Sequence, residues 1–141
     1  MDTIICSFKE KETWIRKIRE DVFVKEQNVS REEEFDGDDH NCVHVIVTEN
    51  GKPLGTGRLC TDGRIGRVAV VKEARGMGVG RIVMQALENH ARRSGMNRLW
   101  AHAQIHALGF YEGLGYRAEG NTFMEADIPH KTIRKSLDAI T

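Results

Sequence analysis

The sequence predicts a layered α/β (α+β) fold in which helices flank a mixed central sheet. Several short segments alternate apolar and polar residues with the period of two that is typical of strands. Two longer segments repeat apolar residues at helical spacing, and one of them separates two strand segments, as a crossover between parallel strands does. The chain has 141 residues and two prolines. Without a Ser/Gly-rich linker, we expect a single domain over residues 1–141.

The first half of the chain is expected to form a strand, a helix and a three-stranded meander. Apolar residues in Glu12–Gln27 fall on one face of a helix. The polar, acidic residues 28–40 form a loop or a second helix with an exposed face. Asn50-Gly51 is a hairpin sequence, and Asp62-Gly63 predicts another turn. The predicted strands are Thr3–Phe8, Cys42–Glu49, Leu54–Cys60 and Ile65–Val71.

The second half begins with a glycine-rich segment and a helix. Apolar residues from Val79 to Ala91 form a helical stripe, and Gly95 stands where a C-terminal cap belongs. Because this helix separates strands 65–71 and 98–104, we expect those strands to be parallel. The remaining predictions are a short helix over Ala107–Leu114 and one or two strands within Tyr116–Leu137, with Pro129 between them.

Composition and charge argue against several kinds of binding partner. The formal net charge is zero and 40% of residues are hydrophobic, which argues against a nucleic-acid partner and for a folded, soluble domain. The sequence offers neither a signal peptide nor an apolar run long enough for a membrane span, so we expect a cytoplasmic protein without a membrane partner. Widely spaced Cys6, Cys42 and Cys60 are expected to be reduced thiols. No Cys/His cluster has metal-ligand spacing, so no metal is expected.

A glycine-rich segment after the strand residues Val68, Ala69 and Val70 is the clearest chemical feature. It reads Arg75-Gly76-Met77-Gly78-Val79-Gly80-Arg81. Glycines let an anion approach backbone N–H groups at the start of a helix, and the two arginines add charge. These residues alone leave two alternatives open, a phosphate site or a tight turn. The segment lacks the Lys-Ser/Thr of a P-loop and the spacing of a dinucleotide fingerprint.

Two motifs together resemble the GNAT acetyltransferase superfamily. Arg75-x-x-Gly78-x-Gly80, between a strand and an amphipathic helix, is similar to its coenzyme A pyrophosphate loop. The segment from Ala107 through Phe110-Tyr111-Glu112 to Gly115-Tyr116 is similar to its A-x-x-[FL]-Y-[EK]-x-x-G-[FY] motif. Residues 19–27, Glu33–Asp36, Ala103-Gln104 and 123–130 resemble the ElaA-like (YjcF-like) branch.

The resemblance implies a GNAT-type fold and direct transfer of an acetyl group from acetyl-CoA to a primary amine. Tyr111 matches the tyrosine that serves the family as general acid. Gln104 stands where much of the superfamily has Asn, so its role in cofactor binding rests on a longer side chain of the same chemistry. A backbone N–H of strand 65–71 is the implied oxyanion donor. Phe110 and Tyr116 are interpreted as core residues.

The general base and the acceptor stay open at this stage. Glu26, Glu34, Asp36, His44, His106 and a water chain are all candidates for the base. The acidic run at 32–39 is interpreted first as a solvated face. Its functional alternative is attraction of a cationic amine, and for that role we assign Glu26, Glu34 and Asp36 as substrate-binding residues.

Several alternatives remain for the function and the partner. The domain could bind CoA or a protein without catalysis, and a nucleotide-dependent oxidoreductase is a further candidate that the glycine spacing disfavours. A polyamine, an aminoglycoside, an amino acid or a peptide amine could be the acceptor. A homodimer is expected by analogy only.

Overall fold

Two antiparallel sheets lie side by side in the computed structural model, which describes residues 1–138. The first sheet has the order β1-β2-β3-β4 and the second has the order β5-β7-β6. The strands are β1 Asp2–Ser7, β2 Cys42–Glu49, β3 Lys52–Cys60, β4 Ile65–Val70, β5 Arg98–Gln104, β6 Arg117–Glu125 and β7 Ile128–Ser136. The helices are α1 Glu12–Arg19, α2 Arg31–Glu34, α3 Val79–Arg93 and α4 Leu108–Gly113.

Helices cover both faces of the first sheet, as predicted. On one face, Ile15 and Ile18 of α1 pack with Ile46 of β2. On the other face, Val83 of α3 packs with Val45 of β2 and with residues of the second sheet. Alternate residues of one strand therefore bury against different helices, because successive side chains of a strand point to opposite faces.

The predicted helix over residues 12–27 is confirmed, with an unexpected change of geometry. After α1 the chain continues as a seven-residue π-helix, Glu20–Glu26. The wider turns of a π-helix are uncommon and often lie at functional sites. This segment leads into the cleft described below.

Glycines in β3 let α3 pack unusually close to the first sheet. A Cβ on Gly55 would lie 2.6 Å from Cγ1 of Val79, and a Cβ on Gly57 would lie 2.6 Å from Cγ1 of Val83. Any side chain at these positions would push the helix away. The close approach fixes the N-terminus of α3 beside the end of β4.

Strands β4 and β5 are parallel, as expected, but they do not form a continuous mixed sheet. Their contact is a parallel bridge between Arg64 and Trp100, at the start of both strands. The Trp100 N–H also donates to the Gly63 carbonyl at 3.1 Å. Beyond this point the strands belong to separate sheets, so a wedge opens between their carboxyl ends.

Most predicted turns are confirmed, and one is wrong. Asn50 and Gly51 both have positive φ, as the hairpin requires. Gly95 caps α3 with φ +83°. The break between the last two strands, however, is not at Pro129, which lies within β7 opposite Met124. The chain reverses at Ala126-Asp127 with positive φ at both residues, a two-residue turn that the sequence did not reveal.

The expectation of three reduced thiols is also wrong. Cys42 and Cys60 form a disulfide across the antiparallel strands β2 and β3, while Cys6 is a free, buried thiol. The two bonded cysteines are register partners, with their Cα atoms 4.1 Å apart. They are 18 positions apart in sequence, so only the strand register brings them together. Within residues 1–138, none of the helices has the length and apolar character needed to cross a membrane.

Candidate active site

The wedge between β4 and β5 is the mouth of a cleft with a volume of about 890 Å³. One half of its wall comes from β4 and the loop before α3, and the other half from the second sheet and the π-helical segment. All predicted site residues except Met77 line it. They are Val68, Ala69, Val70, Arg75, Gly76, Gly78, Val79, Gly80, Arg81, Gln104 and Tyr111, with Glu26, Glu34 and Asp36 of the tentative acceptor set.

The glycine-rich loop presents open backbone amides to this cleft. Gly76 and Gly78 have φ values of +82° and +81°, a left-handed conformation that favours glycine. The first helical hydrogen bond runs from the Ile82 N–H to the Gly78 carbonyl. No side chain caps the N-terminus of α3. The preceding N–H groups of α3 therefore remain available to an anion, at the positive end of the helix dipole.

Gly80 has a different role from the other two glycines. It lies in the first turn of α3, where a Cβ would approach the Phe110 ring to 3.3 Å. Phe110 is 40% exposed and lines the cleft, so its interpretation as a core residue is wrong. The predicted burial of Tyr116 is confirmed, and its hydroxyl donates to Glu88 at 2.6 Å.

Arg75 connects the loop to the opposite wall. Its guanidinium donates to both carboxylate oxygens of Glu26 at 2.7 and 2.8 Å, and its Nε–H donates to the Val70 carbonyl at 3.2 Å. These hydrogen bonds, with the charge of Arg75, lower the pKa of Glu26. Both side chains are partly solvent-exposed, so a stronger anionic ligand could compete for the guanidinium.

A bulge interrupts β4 in the middle of the cleft. Gly66 pairs with Arg58 and Ala69 pairs with Thr56, which leaves Arg67 and Val68 together opposite Gly57. Arg67 has φ +50°, an unusual value for a residue with a side chain. A bulge of this kind leaves backbone groups outside the ladder, so hydrogen-bonding groups of β4 can face the cleft instead of β3.

Tyr111 lies on α4 and lines the cleft. Its ring packs edge-on against Phe110 and Tyr116, with centroid distances of 5.0 and 5.9 Å. Burial raises the pKa of Tyr111 to about 12. The phenol therefore keeps its proton at neutral pH and remains a hydrogen-bond donor.

Gln104 ends β5 at the rim of the cleft. Its side-chain N–H donates to Oε1 of Gln27 at 2.9 Å, which connects the second sheet to the segment after the π-helix. The side-chain oxygen of Gln104 is then the group left for a further ligand.

The acidic run is not a solvated face at two of its positions. Glu34 and Asp39 are each 3% exposed and are held by arginines that the sequence analysis did not single out. Arg19 donates to both carboxylates at 2.6 Å. The members of this buried ion network are Arg19, Arg58 and Arg67 with Glu34, Asp36 and Asp39.

The ion network changes the pKa values of its acids in opposite directions. Burial raises the pKa of Glu34 despite three nearby arginines. Burial also acts to raise the pKa of Asp36, but hydrogen bonds from Arg58 and the Asp38 N–H, with the charges of Arg58 and Arg67, lower it to about 2. Glu34 and Asp36, assigned as substrate-binding acids, are thus already paired with arginines.

The two histidines considered as bases lie in different places. His44 is 1% exposed, contacts the Asp39 carbonyl at 3.0 Å, and does not line the cleft. His106 lines the cleft.

A cluster of three titratable residues that the sequence analysis did not predict also lines the cleft. Its members are His102, Glu125 and His130. Alternation of Trp100, His102 and Gln104 along β5 was the available clue, since it places all three on one face.

The chain is similar to known proteins in both sequence and fold. Residues 8–137 match the family model described as an acetyltransferase (GNAT) domain. The uncharacterized N-acetyltransferase YjcF of Bacillus subtilis is 41% identical over 122 residues, covering 84% of this chain and 87% of YjcF.

Two solved structures superpose closely on the chain. An acyl-CoA N-acyltransferase from Pseudomonas aeruginosa has a TM-score of 0.83 at 27% identity, covering 95% of this chain and 98% of its own. Escherichia coli ElaA has a TM-score of 0.84 at 26% identity, covering 96% and 99%. With the divergent strands and the glycine-rich loop, these similarities show that the chain belongs to the GNAT acetyltransferase family and is an ElaA/YjcF-like member of it.

Proposed function

We propose that the protein transfers an acetyl group from acetyl-CoA to a primary amine, directly and with both substrates bound. The observation that carries this proposal is the shared cleft. The open N-terminus of α3, the β4 bulge and the Tyr111 hydroxyl belong to one cavity. In one cleft, the anion site would hold the cofactor phosphates, the amide donor would stabilise the oxyanion and the phenol would stabilise the departing thiolate.

The loop before α3 is the proposed pyrophosphate site. Its open amides and the helix dipole favour a doubly charged group, and Arg75 and Arg81 line the same part of the cleft. The pantetheine arm would then extend along Val68–Val70, where the bulge frees backbone groups from the ladder. A freed N–H in this segment would stabilise the oxyanion of the tetrahedral intermediate.

Tyr111 is the proposed partner of the departing thiolate. A phenol with a pKa of about 12 holds its proton more tightly than an ordinary thiol, whose pKa is about 8.5. Tyr111 would therefore stabilise the thiolate mainly by donating a hydrogen bond, and solvent would supply the proton. This refines the role of general acid that the family resemblance implies.

The acceptor would enter from the side of the π-helical segment and the second sheet. Glu26 belongs to this segment, Glu34 and Asp36 also line the cleft, and all three are engaged with arginines. Of these, Glu26 can be released from its arginine most easily. A pyrophosphate that binds Arg75 would take the place of Glu26 and leave the Glu26 carboxylate free. Bound cofactor would then provide a negative charge for the incoming ammonium group.

Calorimetry and a thiol-release assay test the proposal. Acetyl-CoA should bind at one site, whereas NADH should not bind. CoA release should then depend on an amine from a panel of spermidine, kanamycin, lysine and a lysine-containing peptide. Binding without amine-dependent release would favour a CoA-binding domain that lacks activity. If acetyl-CoA does not bind, the proposed acetyl transfer is refuted.

A further inference from the structure

A histidine–glutamate–histidine cluster on the strands of the second sheet lines the cleft. His102 lies on β5, Glu125 ends β6 and His130 lies on β7. Nδ1 of His102 is 3.0 Å from Oε1 of Glu125, and Nε2 of His130 is 3.7 Å from its Oε2. The side chains of His102 and Glu125 are 25% and 39% exposed, so the pair is accessible from the cleft.

The surrounding groups fix the protonation pattern of His102. Burial acts to raise the pKa of Glu125, but His102, His130 and Arg64 outweigh it and lower that pKa, so the carboxylate is ionised near neutral pH. An ionised carboxylate can only accept a hydrogen bond, so Nδ1 of His102 must carry the proton. The contact between Arg64 and Nδ1, at 3.3 Å, is then not a hydrogen bond.

Nε2 of His102 is consequently the unprotonated nitrogen of the neutral ring. Within residues 1–138 it has no hydrogen-bond partner. The ring is held edge-on to Trp100 and Phe123, with centroid distances of 5.4 and 4.8 Å. A carboxylate that fixes the tautomer and stabilises the imidazolium is the arrangement by which enzymes make histidine a base. The charged and titratable groups around the ring are Arg64, Glu125 and, across Glu125, His130.

Most other candidate bases are less free to accept a proton. Glu26 is paired with Arg75 and is assigned to the acceptor ammonium group once a cofactor releases it, and Glu34 and Asp36 are paired with arginines of the buried ion network. His106 lines the cleft but, within residues 1–138, has no carboxylate partner to fix its tautomer. His44 does not line the cleft. His102 combines an accessible side chain, a carboxylate partner and a nitrogen that is open to a substrate.

We propose that Nε2 of His102 is the general base that deprotonates the acceptor amine and that Glu125 is the residue that positions it. This inference rests on the proposed acetyl transfer. The ammonium group gives one proton to Nε2, and the neutral nitrogen forms a C–N bond to the thioester carbonyl carbon, which gives the tetrahedral oxyanion. Collapse of this intermediate breaks the C–S bond. The second nitrogen proton leaves with collapse of the intermediate, and the thiolate takes one proton from solvent. One net proton is released.

Two acceptors of different basicity test this assignment. An alkylamine is almost entirely protonated at pH 7 and needs a base, whereas methoxyamine is largely neutral there and does not. We compare His102→Gln, Glu125→Gln and the control His90→Gln, which alters α3 away from the cleft. The two acceptors are methoxyamine and the panel amine with the highest turnover. Acetyl-CoA affinity, measured by calorimetry, checks that each variant is folded.

His102→Gln should lower kcat/KM for the alkylamine by about 100-fold and leave that for methoxyamine within about threefold. Glu125→Gln should cause a smaller loss with the same selectivity and shift the acidic limb of the pH profile. Equal losses for both acceptors, or no loss for either, would overturn the assignment of the base while acetyl transfer stands. If the wild-type protein acetylates neither acceptor, the proposed function itself fails.

Discussion

Arg75 donates hydrogen bonds of 2.8 and 2.7 Å to the two carboxylate oxygens of Glu26, across the mouth of the cleft. The pair joins the proposed pyrophosphate loop to the π-helical segment that borders the acceptor side. A bound pyrophosphate and Glu26 would compete for the same guanidinium. Cofactor binding and the charge of the proposed acceptor site would therefore be coupled through one ion pair.

Opposite changes in acetyl-CoA affinity are expected when the two partners are altered. Arg75→Ala should raise the Kd about tenfold, since it removes charge-assisted hydrogen bonds to the cofactor. Glu26→Gln should lower the Kd, since it removes the competitor. Isothermal calorimetry at fixed salt measures both values. Equal weakening by the two substitutions would show that the intact ion pair, and not free Arg75, supports binding.

Substitution of Tyr111 by Phe should separate binding from turnover. The variant loses only the hydroxyl, so the packing against Phe110 and Tyr116 is preserved. We expect kcat to fall between about 10- and 100-fold, with acetyl-CoA affinity nearly intact. Because the pKa of Tyr111 is about 12, this loss should be constant from pH 6 to 9. Full activity of the variant would show that the Tyr111 hydroxyl takes no part in the reaction.

The stability difference between the wild-type protein and Asp36→Asn should depend on pH. The pKa of Asp36 is lowered from 3.8 to about 2 in the folded state. A lowered acid pKa stabilises the fold above the unfolded value and loses this effect as pH falls through the folded value. Asn keeps an acceptor for the Asp38 N–H but carries no charge.

At pH 6 the Asp36→Asn variant should be less stable than the wild type by about 2 kcal/mol. This difference should shrink steadily between pH 4 and pH 2. Urea denaturation at several pH values measures it, and the opposite contribution of Glu34 is common to both proteins. A difference that stays constant over this range would contradict the ion pairing of Asp36.

Reduction of the Cys42–Cys60 disulfide should destabilise the fold. The bond closes a segment of 18 residues in sequence, for which loss of the cross-link costs about 3 kcal/mol in the chain-entropy treatment. Chemical denaturation with and without dithiothreitol measures this difference. A Cys42→Ser/Cys60→Ser protein serves as the control and should not respond to the reductant. An equal response of both proteins would show that the effect does not come from the Cys42–Cys60 disulfide.

Local sequence patterns were sufficient for most of the fold. The alternation in β2, the Asn50-Gly51 turn and the stripe of α3 each depend on neighbours within a few residues, so each could be predicted correctly. The turn at Ala126-Asp127 could not, because neither residue favours positive φ strongly enough to mark it. Pro129 was the more visible feature, although a strand can accommodate it near its start.

Much of the site could not be predicted, because its ion pairs join residues that are far apart in sequence. The glycine-rich loop is contiguous, and its motif was visible. The ion network joins Arg19, Glu34 and Arg58 from three separate segments, and no spacing rule relates them. The disulfide depends on strand register in the same way. For this reason the acidic run was interpreted as a solvated face, although its buried members Glu34 and Asp39 neutralise arginines that local patterns gave no reason to expect.

The chain completes its first sheet before it begins its second. All strands up to β4 precede α3, and β5, β6 and β7 follow it. The two halves nevertheless share one core, in which Val45 of the first sheet and Ile133 of the second are both fully buried. A protein cleaved at the turn after α3, near Gly95, should therefore yield two fragments that each expose a large apolar face. Neither fragment should be stable alone, and mixing them should reconstitute the cleft between them.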